Sequence, residues 1–181
     1  LDVASGRVRE LLAPAQLLKG GEEHLSPEEK ARRERMRQSL RGFTTFELAR
    51  DGSFVLIPFG GKLYTMSRIT GEVVEQAPLD DKGQRIDTNG AGGEPIFDPQ
   101  LSPDGKLVAY VRGRDLYVLD LRNRHEKRLT RSTDPLITNG LAEFIAQEEL
   151  HRFSGFFFAP DSQSIAFTEV DNRPVETLYL S

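Results

Sequence analysis

A chain of 181 residues suits one domain, or a piece of a larger one. Its 24 Lys and Arg against 28 Asp and Glu give a formal net charge of −4, which points to neither a nucleic acid nor an anionic membrane as partner. The absence of cysteine excludes a disulfide framework, a thiolate metal site and a thiol nucleophile, and no apolar run approaches the roughly 18–20 residues of a membrane-spanning helix.

The sequence starts at Leu1 without a methionine or a signal segment, so the N-terminus does not fix a compartment. Cytoplasm and periplasm both stay open, the periplasm being preferred for a bacterial source. Leu1-Asp2-Val3, the Ser5-Gly6 turn and Arg7–Leu11 read as the second half of a β-meander. They parallel Leu119-Asp120-Leu121 and the strand that ends at Leu129. A helix is expected over 26–40, with Ser26 and Glu29 as a capping box and Pro27 at its first position. Glu28–Arg32 and Glu29–Arg33 are stabilising pairs four residues apart. Its apolar stripe holds little beyond Ala31, Met36 and Leu40, so burial alone cannot hold it. It is either a solvated surface helix or linker, or an arm that projects Arg33, Arg35 and Arg37 towards a ligand carboxylate or carbonyl or an acidic partner.

Three segments then repeat one pattern, starting at Leu48, Leu101 and Phe158. Each has a turn (Asp51-Gly52, Asp104-Gly105, Asp161-Ser162), a β-branched or aromatic strand, a polar turn and a Leu-Tyr strand at Leu63-Tyr64, Leu116-Tyr117 and Leu178-Tyr179. The Asp positions lie 53 and 57 residues apart, the period of propeller blades with insertions. Asp-Gly supplies the positive φ of tight hairpins, and short strands pair with their sequence neighbours. A four-stranded blade cannot bury both faces alone, so blades stack around an axis. A β-sandwich is the alternative, but sandwiches rarely repeat one turn-strand-turn-strand string. Both ends of the sequence fall inside expected strands, which suggests a fragment of about three blades. The glycine-rich stretch 80–93 reads as a long loop, and its glycines do not precede a helix as a phosphate-binding loop requires.

The last inserted element, expected as a helix over 138–152, carries adjacent carboxylates at Glu148 and Glu149. Thr138 or Asn139 is positioned to cap it, and Leu141, Phe144 and Ile145 recur at helical spacing as its apolar side. An aromatic strand follows at Phe156-Phe157-Phe158. Two neighbouring carboxylates repel, and a primary ammonium with three donors resolves the conflict. The plain alternative is that the pair is an ordinary exposed dipeptide, and a metal site lacks further oxygen ligands nearby. No G-x-S-x-G or H-E-x-x-H is present, and His24, His125 and His151 are scattered, so no catalytic triad can be drawn from this chain.

The string Phe144–Leu150 followed by Arg152–Asp161 resembles the dipeptidyl peptidase IV family, serine exopeptidases of the prolyl oligopeptidase clan. It is most similar to the dipeptidyl peptidases eight and nine and to bacterial relatives, in which an arginine-rich helix also precedes the first matching strand. The resemblance implies an all-β fold with short helical insertions, part of an eight-bladed β-propeller spanning 1–181. An α/β-hydrolase domain outside this sequence would supply the catalytic Ser, Asp and His. Glu148 and Glu149 would bind the substrate's N-terminal ammonium, and Arg35, with Arg33 and Arg37 as alternatives, would contact the peptide carbonyl. Dipeptides ending in Pro or Ala would be released. No cofactor or metal is implied. The implied partners are a peptide with a free N-terminus, the remainder of the same enzyme and, for the full enzyme, a second copy. The sequence departs from the family at Phe157-Phe158, where Trp-Trp is usual, and at His151-Arg152, where Asp-Arg is common. The turn repeat also resembles TolB-type propellers, which implies the rival reading of a non-catalytic protein-interaction module.

Overall fold

The computed structural model describes residues 3–18, 23, 25, 27–37, 42–88 and 93–176. The expected strand over Arg7–Leu11 does not form, and Val3, the one described residue of the other expected strand, lies in a turn. Val3–Ser5 make a turn, Gly6–Ala13 are irregular, and a short helix follows, α1 (Pro14–Leu18). Leu12, Leu17 and Leu18 pack on Ile57, Phe59, Tyr64 and Met66, so this segment covers the face of a sheet instead of extending one. Leu1 and Asp2 lie outside the described residues.

After helix α2 (Pro27–Arg35) come two four-stranded antiparallel meanders. The first is β1 (Glu47–Leu48), β2 (Phe54–Phe59), β3 (Lys62–Ser67) and β4 (Val73–Glu75), and the second is β5 (Ile96–Leu101), β6 (Leu107–Arg112), β7 (Asp115–Asp120) and β8 (Glu126–Arg128). The third repeat and the segment leading into it hold β9 (Ile137–Asn139), helix α3 (Phe144–Glu148), β10 (Phe156–Phe158), β11 (Ile165–Phe167) and β12 (Glu169–Asp171). β10 pairs with β11, and β12 turns back to pair with β9, a return that the repeat pattern did not reveal. The Leu178-Tyr179 strand lies outside the described residues. In the 80–93 loop a tight turn at Asp80–Gly83 and a bridge of Leu79 to His125 tie the two meanders together.

The three turns share one construction. The amides of Gly52, Gly105 and Ser162 donate to the carbonyls of Ala49, Ser102 and Ala159 at 2.8, 2.8 and 2.9 Å. The side chains of Asp51, Asp104 and Asp161 accept from the amide two residues on, at 2.9, 3.1 and 3.0 Å. The fourth position is left-handed in each, at φ 72°, 71° and 63°, which glycine adopts freely and Ser162 only with strain.

Side-chain alternation on β6 explains the stacking. Val108 and Tyr110 join Leu56, Leu63, Leu101 and Leu119 in the core shared with the first sheet. Ala109 and Val111 face the other way, with Leu116 and Phe156, into the core shared with the third repeat. The middle sheet is thus buried on both faces, each fully buried Val or Leu contributing roughly 1.5–3 kcal/mol.

Candidate functional site

Two inserted helices meet at the site. α2 is shorter than expected: it ends at Arg35, and Met36 and Arg37 form a turn with Arg37 at φ 53°. Ser26 of the expected capping box and residues 38–40 lie outside the described residues. Burial, not solvent, receives Arg33. Its Nη2 donates to Glu23 at 2.8 Å and its Nε to Glu29 at 2.9 Å, while the other Glu23 oxygen accepts the amide of Gly42 at 3.0 Å. Burial disfavours the Arg33 charge, yet the bonds to Glu29 and Glu23 outweigh it and raise the pKa. Arg33 is therefore a structural anchor of α2. Arg32 lies 5.4 Å over the Phe97 ring and 3.4 Å from Asp98.

Arg35, one turn beyond Arg32, reaches α3. Its Nη1 donates to Gln147 Oε1 at 3.0 Å, its Nε lies 3.6 Å from Glu148 Oε1, and its guanidinium sits 5.5 Å above the Phe144 ring. The Glu148 side chain remains 40% exposed, so the ion pair alone stabilises by at most about 1 kcal/mol. Glu149 is exposed and closes the helix by donating its amide to Ile145 O at 2.9 Å.

α3 itself differs from the expected 138–152 helix. Thr138 and Asn139 belong to β9, and the cap is Glu143, whose carboxylate accepts the amides of Ile145 at 2.6 Å and Ala146 at 2.7 Å. Of the apolar side inferred from spacing, Leu141 packs on the core of Val111, Leu116 and Phe156, and the rest is corrected. Phe144 and Ile145 are 63% and 61% exposed, and the buried positions are Ala142 and Ala146, small residues four apart that let the helix lie close to its support. His151, at φ 50°, breaks the helix, and the amide of Arg152 donates to Ala146 O at 2.9 Å.

Two features fix where this short helix stands. Beneath β9, the buried Asp115 accepts from Thr130 at 2.7 Å, the Ser132 amide at 2.8 Å and Asn139 at 3.2 Å, and pairs with Arg128. Burial raises the Asp115 pKa, but the bonds from Thr130, Arg128 and Ser132 outweigh it, and the net shift is downward. On the far side, Gly155 passes so close to 140–141 that an added Cβ would lie 2.6 Å from both Gly140 C and Leu141 O. Thr168 stitches the same crossing: Gly140 donates its amide to Thr168 O at 2.9 Å, and the Thr168 hydroxyl reaches Leu141 O at 3.1 Å.

The structure thus brings Arg35 to Glu148, with Glu149 exposed next to Glu148, and withdraws Arg33 into the protein. Sequence reading missed Gln147 as an Arg35 acceptor, Glu143 as the cap, and Asp98 and Asp115 as supports. Only Glu143 carried a local signal, an acidic residue directly before a helical run. Among the described residues no group of three or more His, Asp or Glu is placed to hold a metal.

The model of the dipeptidyl peptidase IV (DPP IV) N-terminal region matches residues 51–181. The chain belongs to this family. Human dipeptidyl peptidase 8 is 25% identical over 173 residues, covering 86% of this chain and 19% of that protein. A probable dipeptidyl peptidase 4 of Trichophyton verrucosum is 36% identical over 80 residues, 43% of this chain and 10% of that protein. The solved dipeptidyl peptidase 4 of Porphyromonas gingivalis superposes with a TM-score of 0.55 at 16% identity, over 74% of this chain and 19% of that one, a likeness of fold. The chain spans a fifth or less of the length of these relatives. As a dipeptidyl peptidase IV N-terminal region it is part of a propeller, and its successive antiparallel sheets are blades with short helical insertions.

Proposed function

We propose that this chain is the substrate-recognition part of a serine exopeptidase that releases N-terminal dipeptides, preferentially after Pro or Ala. In this reading residues 1–181 form part of the propeller, and an α/β-hydrolase domain elsewhere in a longer, homodimeric protein supplies the nucleophile. Glu148 and Glu149 hold the ammonium of the peptide's first residue, and Arg35 contacts its backbone carbonyl. The arrangement measures two residues from the amino end.

The observation that carries this is the meeting of Arg35 with Glu148 at 3.6 Å and with Gln147, 112 residues away in sequence, at 3.0 Å. An arginine has five N–H donors, so a guanidinium engaged with Gln147 and Glu148 keeps donors for a carbonyl. Glu148 and Glu149 are both accessible to a ligand, and an ammonium between them relieves their mutual repulsion. Arg33, tied to Glu23 and Glu29, is not available for that role, which favours Arg35 over it.

In the longer protein, Glu148→Ala and Glu149→Ala should each lower kcat/KM for a dipeptidyl amide with a free amine roughly ten- to a hundredfold, the loss of one charge-assisted bond of about 1.5–3 kcal/mol. Near-normal kinetics in both variants would refute the amine anchor.

A further inference from the structure

β5 is not a regular strand. Its register with β6 shifts between Phe97 and Gln100, and the residue in the kink, Asp98, is buried with φ 49°. A non-glycine residue held left-handed and a carboxylate held out of water both cost free energy, so the surroundings must compensate. They do so through the two inserted helices.

From α2, Arg32 approaches Asp98 Oδ1 at 3.4 Å while its guanidinium lies over Phe97. On the other side Gln100 Nε2 lies 3.4 Å from Asp98 Oδ2, donates to Ser154 Oγ, and lies 3.4 Å from Phe156 O. Ser154 is in turn joined to α3: Arg152 Nη1 donates to Ser154 O at 2.9 Å, and the Arg152 amide donates to Ala146 O at 2.9 Å. A continuous polar path therefore runs from α2 through two residues of one strand kink to α3. Arg32 and Arg35 are three apart on α2 and so lie on one side of it. What fixes Arg32 also aims Arg35.

We propose that the β5 bulge, through Asp98 and Gln100, is a positioning device that sets α2 and α3 in register so that Arg35 and Glu148 converge on one ligand. The inference rests on the amine-anchor reading above and adds the residues that hold its two halves together. Bulges redirect side chains in this way where a regular strand would keep pairing. Direct contact between Arg35 and Glu148 is too exposed to fix the helices by itself. Asp98 and Gln100 touch no ligand in this scheme. They act through Arg32 and Ser154.

The test uses the longer protein that carries this chain, an alanyl-prolyl chromogenic amide as substrate, and the variants Asp98→Asn, Arg35→Ala, Glu148→Ala and the Asp98→Asn/Arg35→Ala double variant. Asp98→Asn should raise KM about tenfold with kcat within about twofold, because the anchor lies away from the cleaved bond and contributes equally to ground and transition states. In the Arg35→Ala background the same change should add less than about twofold, since it acts through the residue already removed. An unchanged KM in Asp98→Asn beside a raised KM in Glu148→Ala overturns the role of the bulge and leaves the anchor standing. Unchanged KM in Glu148→Ala overturns the anchor and this inference with it. Fully additive effects of Asp98→Asn and Arg35→Ala also overturn it, because a merely structural aspartate would act independently. Thermal unfolding checks that each variant is folded, and Arg32→Gln repeats the experiment from the α2 side if Asp98→Asn is not.

Discussion

Replacing Asp115 by Ala should be among the most damaging changes in the chain, although this residue touches no ligand. Its carboxylate is 5% exposed and accepts from Thr130, Ser132 and Asn139 while pairing with Arg128. Three neutral donors at about 0.5–1.5 kcal/mol each and one charged donor at about 1.5–3 kcal/mol would sum higher than the effect, because members of one network are not additive. Removing one partner of a buried charged network costs about 3–5 kcal/mol. With a urea m-value of about 2 kcal/mol/M, the unfolding midpoint should fall by about 1.5–2.5 M at unchanged m. Asp115→Asn keeps one oxygen for Thr130, Ser132 and Asn139 but puts an NH2 donor where Arg128 needs an acceptor, losing the charge and that hydrogen bond, so it should fall in between. The pH dependence gives a second reading. The folded pKa of Asp115 is lowered, so its stabilisation is fully present above the unfolded carboxylate value near 3.9 and is lost as pH falls through the lower folded value. The gap between wild type and Asp115→Ala should accordingly be widest near neutrality and narrow below about pH 4. A midpoint shift under about 0.5 M, or a gap that does not change with pH, would refute the view of Asp115 as the fixed point beneath β9.

Gly155→Ala forces a Cβ against the backbone of Gly140 and Leu141, which cannot rotate away, so it should cost about 1–3 kcal/mol or more, read as a lowered thermal midpoint by circular dichroism. Wild-type stability in that variant would show that 140–141 can shift. Glu143→Ala removes the acceptor of two α3 amides and should cost about 1 kcal/mol, most of which Glu143→Ser should restore. Amide exchange at Ile145 and Ala146 measures it, and equal protection in both variants would count against the cap.

The blades were legible because their signals are local. Asp-Gly turns and alternating strands work between residues that are neighbours in the chain, and the turns at Gly52, Gly105 and Ser162 repeat one hydrogen-bond plan. The paired glutamates were legible as a motif. The bounds and facing of α3 were not, since a five-residue helix takes its orientation from its support. Phe144 and Ile145 followed helical spacing yet stand exposed, and Ala142 and Ala146 are the residues covered. The expected strand over Arg7–Leu11 failed for a related reason: the segment that follows it, with Leu12, Leu17 and Leu18, covers a sheet face.

By itself the sequence determined the repeat, the turn chemistry and which residue types an amine or a carbonyl would require. Only the tertiary structure gave the arginines different surroundings. Arg33 and Arg35 are two apart on one helix and therefore point in different directions, one into a pair of glutamates and the other across to Glu148. The strand kink that meets Arg32 lies some sixty residues downstream of α2, and no local pattern in the chain encodes such a contact.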